Sequence, residues 1–224
     1  MLAARIEISG GIGSGKTTLA RALAAVRPDA RLVEEAVRDV PFFVQFYRAP
    51  AVYGFEKNVS FVLSHADRVR GSADPDGTKP LICDYALYQD LAYTDIVCAA
   101  NDVRAVEAVH GRMVARVGHP RILVHLTCAP RTQLERIAKR GRPEEAGVNL
   151  AYLTDLCAAH DRRLAGFAAS SPATGRLTLD TDSLDLDAHP GHLQEEALRI
   201  WAAYDAAEPP AQAAAEKAAE PLAR

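Results

Sequence analysis

A glycine-rich run near the start of the chain constrains its fold more than any other feature. Gly10-Gly11-Ile12-Gly13-Ser14-Gly15-Lys16-Thr17 matches the pattern G-x-x-x-x-G-K-[ST] without a gap. The apolar segment Ile6–Ser9 precedes it and predicts a strand, and the helix formers of Thr18–Ala25 follow it. Strand, glycine loop and helix start form the context in which this pattern binds phosphate. A chance glycine-rich turn is the alternative, and both flanks argue against it.

The chemistry of the loop follows from its backbone and its last two side chains. Glycines let successive N–H groups point inward, and the helix N-terminus adds the positive end of its dipole. We expect Lys16 to reach the outer phosphates of ATP and the Thr17 hydroxyl to ligate Mg²⁺. The predicted ATP-binding loop residues are Gly10, Gly11, Ile12, Gly13, Ser14, Gly15, Lys16, Thr17 and Thr18. Taken alone, the loop indicates only a nucleoside triphosphate.

Short apolar segments alternate with helical patterns along the chain. The predicted strands are Arg5–Ser9, Arg31–Glu34, Leu81–Asp84, Ile122–Leu126 and Arg176–Leu179. The predicted helical regions are Pro41–Arg70 (interrupted near Ala49-Pro50), Gln89–Val117, Arg131–Arg140 and Leu150–Ala165. This alternation predicts an α/β fold of three layers, in which helices flank a five-stranded parallel sheet.

Length and composition narrow the class of protein. The 224 residues fit one domain over 1–204, followed by an Ala/Glu/Pro-rich tail over 205–224 that we expect to be flexible. A net charge of −3 argues against a nucleic-acid partner, and no apolar run is long enough to span a bilayer. No signal peptide is expected, and the widely spaced cysteines predict reduced thiols in the cytoplasm. They are Cys83, Cys98, Cys128 and Cys157.

Two carboxylates follow predicted strands, at the edge where parallel sheets bind ligands. Glu35 follows the second strand and can take a proton from an attacking hydroxyl. Asp84 closes the third strand, which is the usual position of an acid near Mg²⁺. A solvated acidic pair, Glu34-Glu35, and a simple turn role for Asp84 are the alternatives.

A basic segment at the end of a predicted helix offers positive charge for a phosphoryl group. Arg136, Arg140 and Arg142 surround a glycine and can fold over triphosphate oxygens as a lid. A solvent-facing basic helix end is the alternative. The guanine-reading pattern N-K-x-D is absent, so these features together favour a kinase of a small molecule over a GTPase.

Read end to end, these segments resemble the deoxyribonucleoside kinase family, particularly its bacterial deoxyadenosine/deoxyguanosine kinase branch. The resemblance runs from about Arg5 to about Leu186. Its most specific piece is Pro41–Phe55, which is similar to the family's P-F-x-x-x-F-Y-x-x-P-x-x-Y-x-F segment. The arginine lid, Arg136–Gly147, and the closing Leu177–Asp185 segment are also similar to those of the family.

The resemblance implies specific roles. Glu35 matches the general base that acts on the sugar 5′-hydroxyl, and Tyr47 and Glu145 match groups that bind the 3′-hydroxyl. Asp84 matches the acid of the family's D/E-R-S motif, and the three lid arginines match those that embrace the donor phosphates. ATP and Mg²⁺ are implied, as is a homodimer formed through long helices such as Gln89–Val117.

The chain departs from the family where it would face the acceptor. Tyr85 replaces the arginine that bridges the base glutamate and the phosphate, and Arg38 is a candidate replacement for its charge. In the predicted base-reading set, Asn58 replaces a glutamine and His65 an arginine. There Asp90 matches, and Thr94 stands in place of an aromatic ring.

We therefore expect ATP-dependent phosphorylation of the 5′-hydroxyl of a deoxynucleoside or nucleoside, with room for an atypical base. Lys16, Glu35, Arg140 and Arg142 are the predicted catalytic residues. A kinase of a nucleoside monophosphate or modified nucleoside is one alternative. A monophosphate would need more cations than Arg48 and Lys57, the two within Phe42–Phe61. A non-catalytic ATP-binding relative is the other, and Tyr85 is its best support.

Overall fold

Five parallel strands form one sheet with the order β2-β3-β1-β4-β5. The computed structural model describes residues 4–74, 76–182 and 190–208. The strands are β1 (Arg5–Gly10), β2 (Arg31–Val33), β3 (Leu81–Cys83), β4 (Ile122–Thr127) and β5 (Gly175–Asp180). The predicted α/β class and parallel sheet are confirmed, and each predicted strand matches to within one residue at either end.

Helices connect and cover these strands. They are α1 (Lys16–Val26), α2 (Phe43–Arg48), α3 (Pro50–Ser72), α4 (Gln89–Val97), α5 (Ala100–Val117), α6 (Pro130–Arg140), α7 (Leu150–Ser170) and α8 (Pro190–Ala206). Single 3₁₀ turns cover Val37–Asp39 and Pro143–Glu145. The predicted interruption at Ala49-Pro50 is present, because the chain leaves α2 at Ala49 and starts α3 with proline.

The prediction of one continuous helix over Gln89–Val117 is wrong. Cys98 and Ala99 have extended backbone, with ψ of 151° and 158°, and separate α4 from α5. The break lies where α3 comes close to α4, since a Cβ added to Gly54 would meet the Val97 carbonyl at 3.4 Å. Asp102 then lies in the first turn of α5, where a negative charge stabilises a helix start.

Helices pack on both faces of the sheet, which makes three layers, although the edge strands β2 and β5 keep exposed residues. On one face, α1 and α8 pack on Ile6, Ile8 and Val124 through a cluster that includes Leu23 and Trp201. On the other face, α3 packs on β2 and β3, and Phe167 of α7 packs with Leu123 of β4. Strands buried on two sides are mostly apolar, as in the segment of β3, and such short apolar runs predict strands from the sequence.

The sheet order places the glycine loop at its centre. β1 pairs with β3 on one side and β4 on the other, so the loop that follows β1 emerges where the chain switches sides. The segments that follow β2 and β3 reach the same edge. Ligands bind at this type of switch point in open α/β sheets.

Helix α8 lies near the C-terminal end of the described chain and was not predicted. It runs to Ala206, two residues past the expected domain boundary, and its Asp205 pairs with Arg27, the residue that follows α1. The remainder of the predicted tail, residues 209–224, and residues 183–189 of the closing segment lie outside the described residues. Among the described helices, none combines the length and the apolarity needed to cross a membrane.

Candidate active site

A cavity of about 820 Å³ opens at the carboxyl edge of the sheet. The glycine loop lies along one part of it, and α2, α3 and α4 surround another. Of the predicted site residues, the cavity is lined by Ile12, Gly13, Ser14, Gly15, Lys16, Thr17, Thr18, Glu35, Tyr47, Asn58, Asp84, Asp90, Arg136, Arg140, Arg142 and Glu145. The structure therefore brings together most residues that the sequence singled out.

The glycine loop is shaped by backbone that only glycine adopts easily. Gly13 and Gly15 have φ of 79° and 96°, in the left-handed region. Lys16 folds back over the loop and donates to the carbonyls of Gly10 and Gly11 at 2.8 and 3.0 Å. Gly10 and Gly11 do not line the cavity, unlike the rest of the loop. Burial lowers the pKa of Lys16, while the carboxylates of Glu35 and Asp84 act in the opposite direction.

Oxygen atoms suited to Mg²⁺ meet beside the loop. Thr17 Oγ1 donates to Asp84 Oδ2 at 3.0 Å, and Asp84 Oδ1 accepts from the Glu35 N–H at 2.5 Å. Burial and the Glu35 charge raise the pKa of Asp84. A cation bound beside Asp84 would therefore stabilise its ionised form. Mg²⁺ is commonly held by one or two protein oxygens together with substrate phosphates. The hydroxyl–carboxylate pair fits that requirement.

Glu35 forms an ion pair with a buried histidine. His65 Nε2 lies 3.3 Å from Glu35 Oε1, and His65 Nδ1 lies 2.9 Å from Asp90 Oδ2. Burial opposes the charge of His65, but Asp90 and Glu35 raise its pKa to about 10. Burial alone would likewise raise the pKa of Glu35, but His65 and Lys16 outweigh it and lower that pKa. Glu35 is therefore ionised and fit to accept a proton.

The structure places His65 and Tyr85, two of the predicted substrate-binding residues, behind the cavity surface. Neither side chain lines the cavity, since His65 is 1% exposed and Tyr85 is fully buried. The Tyr85 ring stacks on His65 with centroids 4.0 Å apart, and its hydroxyl donates to the His65 carbonyl at 3.1 Å. Because successive residues of an extended chain face opposite ways, Asp84 faces the cavity and Tyr85 enters the core.

Arg38 does not supply the charge missing at Tyr85. Its side chain is 69% exposed and pairs with Glu144 at 2.9 Å. The positive charge beside Glu35 belongs to His65 instead. Thr94 is also turned from the cavity, because its buried hydroxyl donates to the Asp90 carbonyl at 2.7 Å.

The predicted lid residues are paired with each other. Arg140 binds the buried carboxylate of Glu145 through contacts of 2.7, 2.8 and 3.2 Å, and Arg142 lies 3.6 Å from it. Arg136 instead donates to the Thr181 carbonyl at 2.7 Å, which ties α6 to the end of β5. Burial and the Glu145 charge raise the pKa of Tyr47 to about 12, so that its phenol remains a hydrogen-bond donor.

The sequence reasoning missed the composition of the part of the cavity beyond Glu35. Phe46, Phe61 and Tyr93 line it, and Lys57 lies among their rings. Helical spacing carried part of this signal, because Lys57, Phe61 and His65 follow one another at four-residue steps along α3. Phe46 and Tyr93 come from α2 and α4, and no local pattern connects them to Lys57.

Strand, glycine loop, paired Thr17–Asp84 oxygens and a strand-end carboxylate together define a P-loop phosphotransferase. The family model for deoxynucleoside kinase matches residues 6–198. The chain belongs to the deoxynucleoside kinase family and is a phosphotransferase that uses ATP to phosphorylate a nucleoside. The family match favours this activity over the alternatives of another acceptor class or a non-catalytic protein.

Individual relatives agree with the family. The chain is 26% identical to the deoxyguanosine kinase of Bacillus subtilis over 182 residues, which cover 80% of this chain and 87% of that protein. It is 28% identical to the deoxyadenosine kinase of Dictyostelium discoideum over 163 residues, covering 67% and 62%. The deoxyadenosine kinase of M. mycoides with bound dATP shares the fold, with a TM-score of 0.71 at 19% identity, covering 88% of this chain and 99% of that one.

Proposed function

We propose that this kinase transfers the γ-phosphoryl group of ATP to the 5′-hydroxyl of a deoxynucleoside, with Glu35 as the general base. The carrying observation is the ionised Glu35 carboxylate, which lines the same cavity as the glycine loop. Glu35 accepts the hydroxyl proton as the 5′-oxygen bonds to the γ-phosphorus and the bond from that phosphorus to the bridging oxygen breaks, so that ADP leaves. The names of the relatives support a purine deoxynucleoside as acceptor.

The donor is held by the loop and the arginines. Backbone N–H groups of Ile12 to Thr18 bind the phosphates, and Lys16 turns from the loop carbonyls to the outer phosphate oxygens. Arg140 and Arg142 exchange part of their pairing with Glu145 for the charge of the transferred group, as the proposed lid. Thr17 and Asp84 would hold Mg²⁺, whose role is to neutralise phosphate charge.

The sugar is positioned by Glu145, the acidic partner of Arg140, together with Tyr47. Glu145 and Tyr47 line the cavity, and the Glu145 charge acts on the Tyr47 phenol. A carboxylate acceptor and a phenolic donor suit a 3′-hydroxyl, which both gives and takes a hydrogen bond. Arg140 holds Glu145 in place for this contact.

The proposal extends to assembly and compartment. A homodimer through α5 and α7 is supported by the outward small residues Ala105, Ala108, Ala158 and Ala165, which allow helices to approach closely. Light scattering on the purified chain tests it, with twice the chain mass expected.

The four free cysteines support a reducing compartment, the cytoplasm.

The role of Glu35 is tested by removing its charge beside a matched control. Glu35→Gln keeps the shape but cannot accept a proton, so kcat should fall about 10²- to 10⁴-fold while the ATP dissociation constant stays within about threefold. Glu34→Gln is the control, because Glu34 is half exposed and pairs with Arg21 on the surface. Steady-state phosphorylation of a deoxynucleoside panel gives the comparison. Near-normal turnover by Glu35→Gln would remove Glu35 as the base.

A further inference from the structure

An ammonium group lies buried in the acceptor half of the cavity. Lys57 is 7% exposed, and its Nζ lies 4.7, 5.0 and 5.2 Å from the ring centroids of Phe46, Phe61 and Tyr93. All four side chains line the cavity that contains Glu35. Aromatic side chains that line a cavity are suited to pack on a flat heterocycle, and Lys57, which lies among these three rings, is placed to meet polar atoms at its rim.

No carboxylate of the described residues forms an ion pair with Lys57. Within the described part of the chain, its Nζ makes one hydrogen bond, to Asn58 Oδ1 at 2.9 Å, and no ion pair. Burial lowers the pKa of Lys57 to about 8, with the Asp90 charge acting against the shift, so the group is mostly protonated at neutral pH. A buried cation held only by an amide and aromatic faces is costly unless a ligand completes its hydrogen bonds.

Asn58 is already engaged on both sides of its amide. Its oxygen accepts from Lys57, and its nitrogen lies 3.5 Å from Cys98 Sγ. Asn58 therefore orients the lysine, and the ammonium, which uses one of its three N–H groups on Asn58, is a charged donor offered to the ligand. An ammonium has only donors.

We propose that Lys57 sets the acceptor specificity of this kinase by selecting nucleosides whose heterocycle presents an exocyclic oxo group, 6-oxopurines or 4-oxopyrimidines, over those that present an amino group. An oxo oxygen accepts a charge-assisted hydrogen bond from the ammonium. An exocyclic amino group is itself a donor and cannot accept from the ammonium. Binding then leaves a buried N–H unpaired, which weakens the affinity for that nucleoside. This inference rests on the proposed function, because it concerns the acceptor of the same site.

Two pairs of isosteric substrates test it. Deoxyinosine and deoxyadenosine differ at C6 by oxo against amino, and deoxyuridine and deoxycytidine differ likewise at C4. We expect kcat/KM to favour the oxo member of at least one pair by about tenfold or more in the wild type. Lys57→Met keeps the length and apolar bulk without the charge, and should bring that ratio to within about threefold of one.

Controls separate specificity from folding. Lys79→Met changes an exposed lysine in the loop before β3 and should leave the ratio unchanged. Lys57→Gln keeps an N–H donor without the charge and should give an intermediate ratio. This variant replaces Lys57→Met in the comparison if Lys57→Met melts at a much lower temperature. An amino preference in both wild-type pairs, or an oxo preference that survives in both Lys57 variants, would overturn the inference and leave the kinase activity standing. Absence of turnover with every nucleoside would overturn the proposed function and this inference with it.

Discussion

The Glu35 carboxylate is pulled in opposite directions by its surroundings. Burial favours its neutral form, whereas His65 at 3.3 Å favours the ionised form and prevails. Tyr85 stacks on one face of this histidine and so restricts the ring that lowers the Glu35 pKa. Tyr85 stands where the family has an arginine next to Asp84. In this chain the positive charge beside Glu35 belongs to His65 instead.

The pH profile of activity should report this arrangement. In His65→Gln the charge that lowers the Glu35 pKa is gone while burial remains, so the Glu35 pKa should rise. The acidic limb of kcat/KM should then move to higher pH by about one unit or more. The measurement is kcat/KM for the best nucleoside between pH 4.5 and 8 as an assay range.

Tyr85→Phe is the matched variant for that profile. It keeps the ring on His65 and removes the hydroxyl, which contacts the His65 carbonyl and the Cys83 side chain. Its acidic limb should coincide with that of the wild type. If the limb of His65→Gln also stays in place, the ionisation of Glu35 does not depend on His65.

The element that governs donor binding is the glycine loop together with α6. A Cβ added to Gly13 would lie 3.0 Å from the Gln133 carbonyl, and the φ of Gly13 is 79°. The loop therefore needs glycine there both for its own turn and for the approach of α6. The backbone of α6 cannot retreat without moving Arg136, which ties that helix to β5.

Gly13→Ala should consequently weaken both folding and ATP binding. The left-handed conformation costs an alanine about 1–2 kcal/mol, before the contact with Gln133 is counted. Gly111→Ala in α5 is the control, since nothing lies within 4 Å of its added Cβ and alanine favours a helix by about 0.5–1 kcal/mol. Urea unfolding and ATP titration measure both quantities. Equal stability of the two variants would contradict the strained-loop account.

Local sequence patterns predicted the strands and the glycine loop well. The features that these patterns missed depend on contacts between elements. Glu35 and Asp84 were found because each directly follows an apolar strand, and parallel strands bring their ends together. Lys57 acquires its setting only when α2 and α4 bring Phe46 and Tyr93 to it. The separation of α4 from α5 depends likewise on the approach of α3 at Gly54, which helix propensity does not encode.

At the scale of the whole molecule, α8 closes one face of the sheet. Trp201 is 3% exposed, donates from Nε1 to the Leu23 carbonyl at 3.0 Å, and has the Arg27 guanidinium 4.1 Å above its ring. Arg27 also pairs with Asp205. The contact joins the last described helix to α1, whose first residue is Lys16.

Trp201→Ala should therefore lower the free energy of unfolding by about 3–5 kcal/mol, because it removes a large buried ring and leaves α1 uncovered. Trp201→Phe should lose much less, since the Leu23 carbonyl keeps its bond from the Arg27 N–H. Leu198→Ala on the exposed side of α8 should stay within about 0.5 kcal/mol of wild type. Below the melting transition, kcat of Trp201→Ala should be retained, because Leu23 lies about two helical turns from Lys16. Urea denaturation and turnover at low temperature measure the two effects, and a fall in kcat without loss of stability would mean that α8 acts on the site directly.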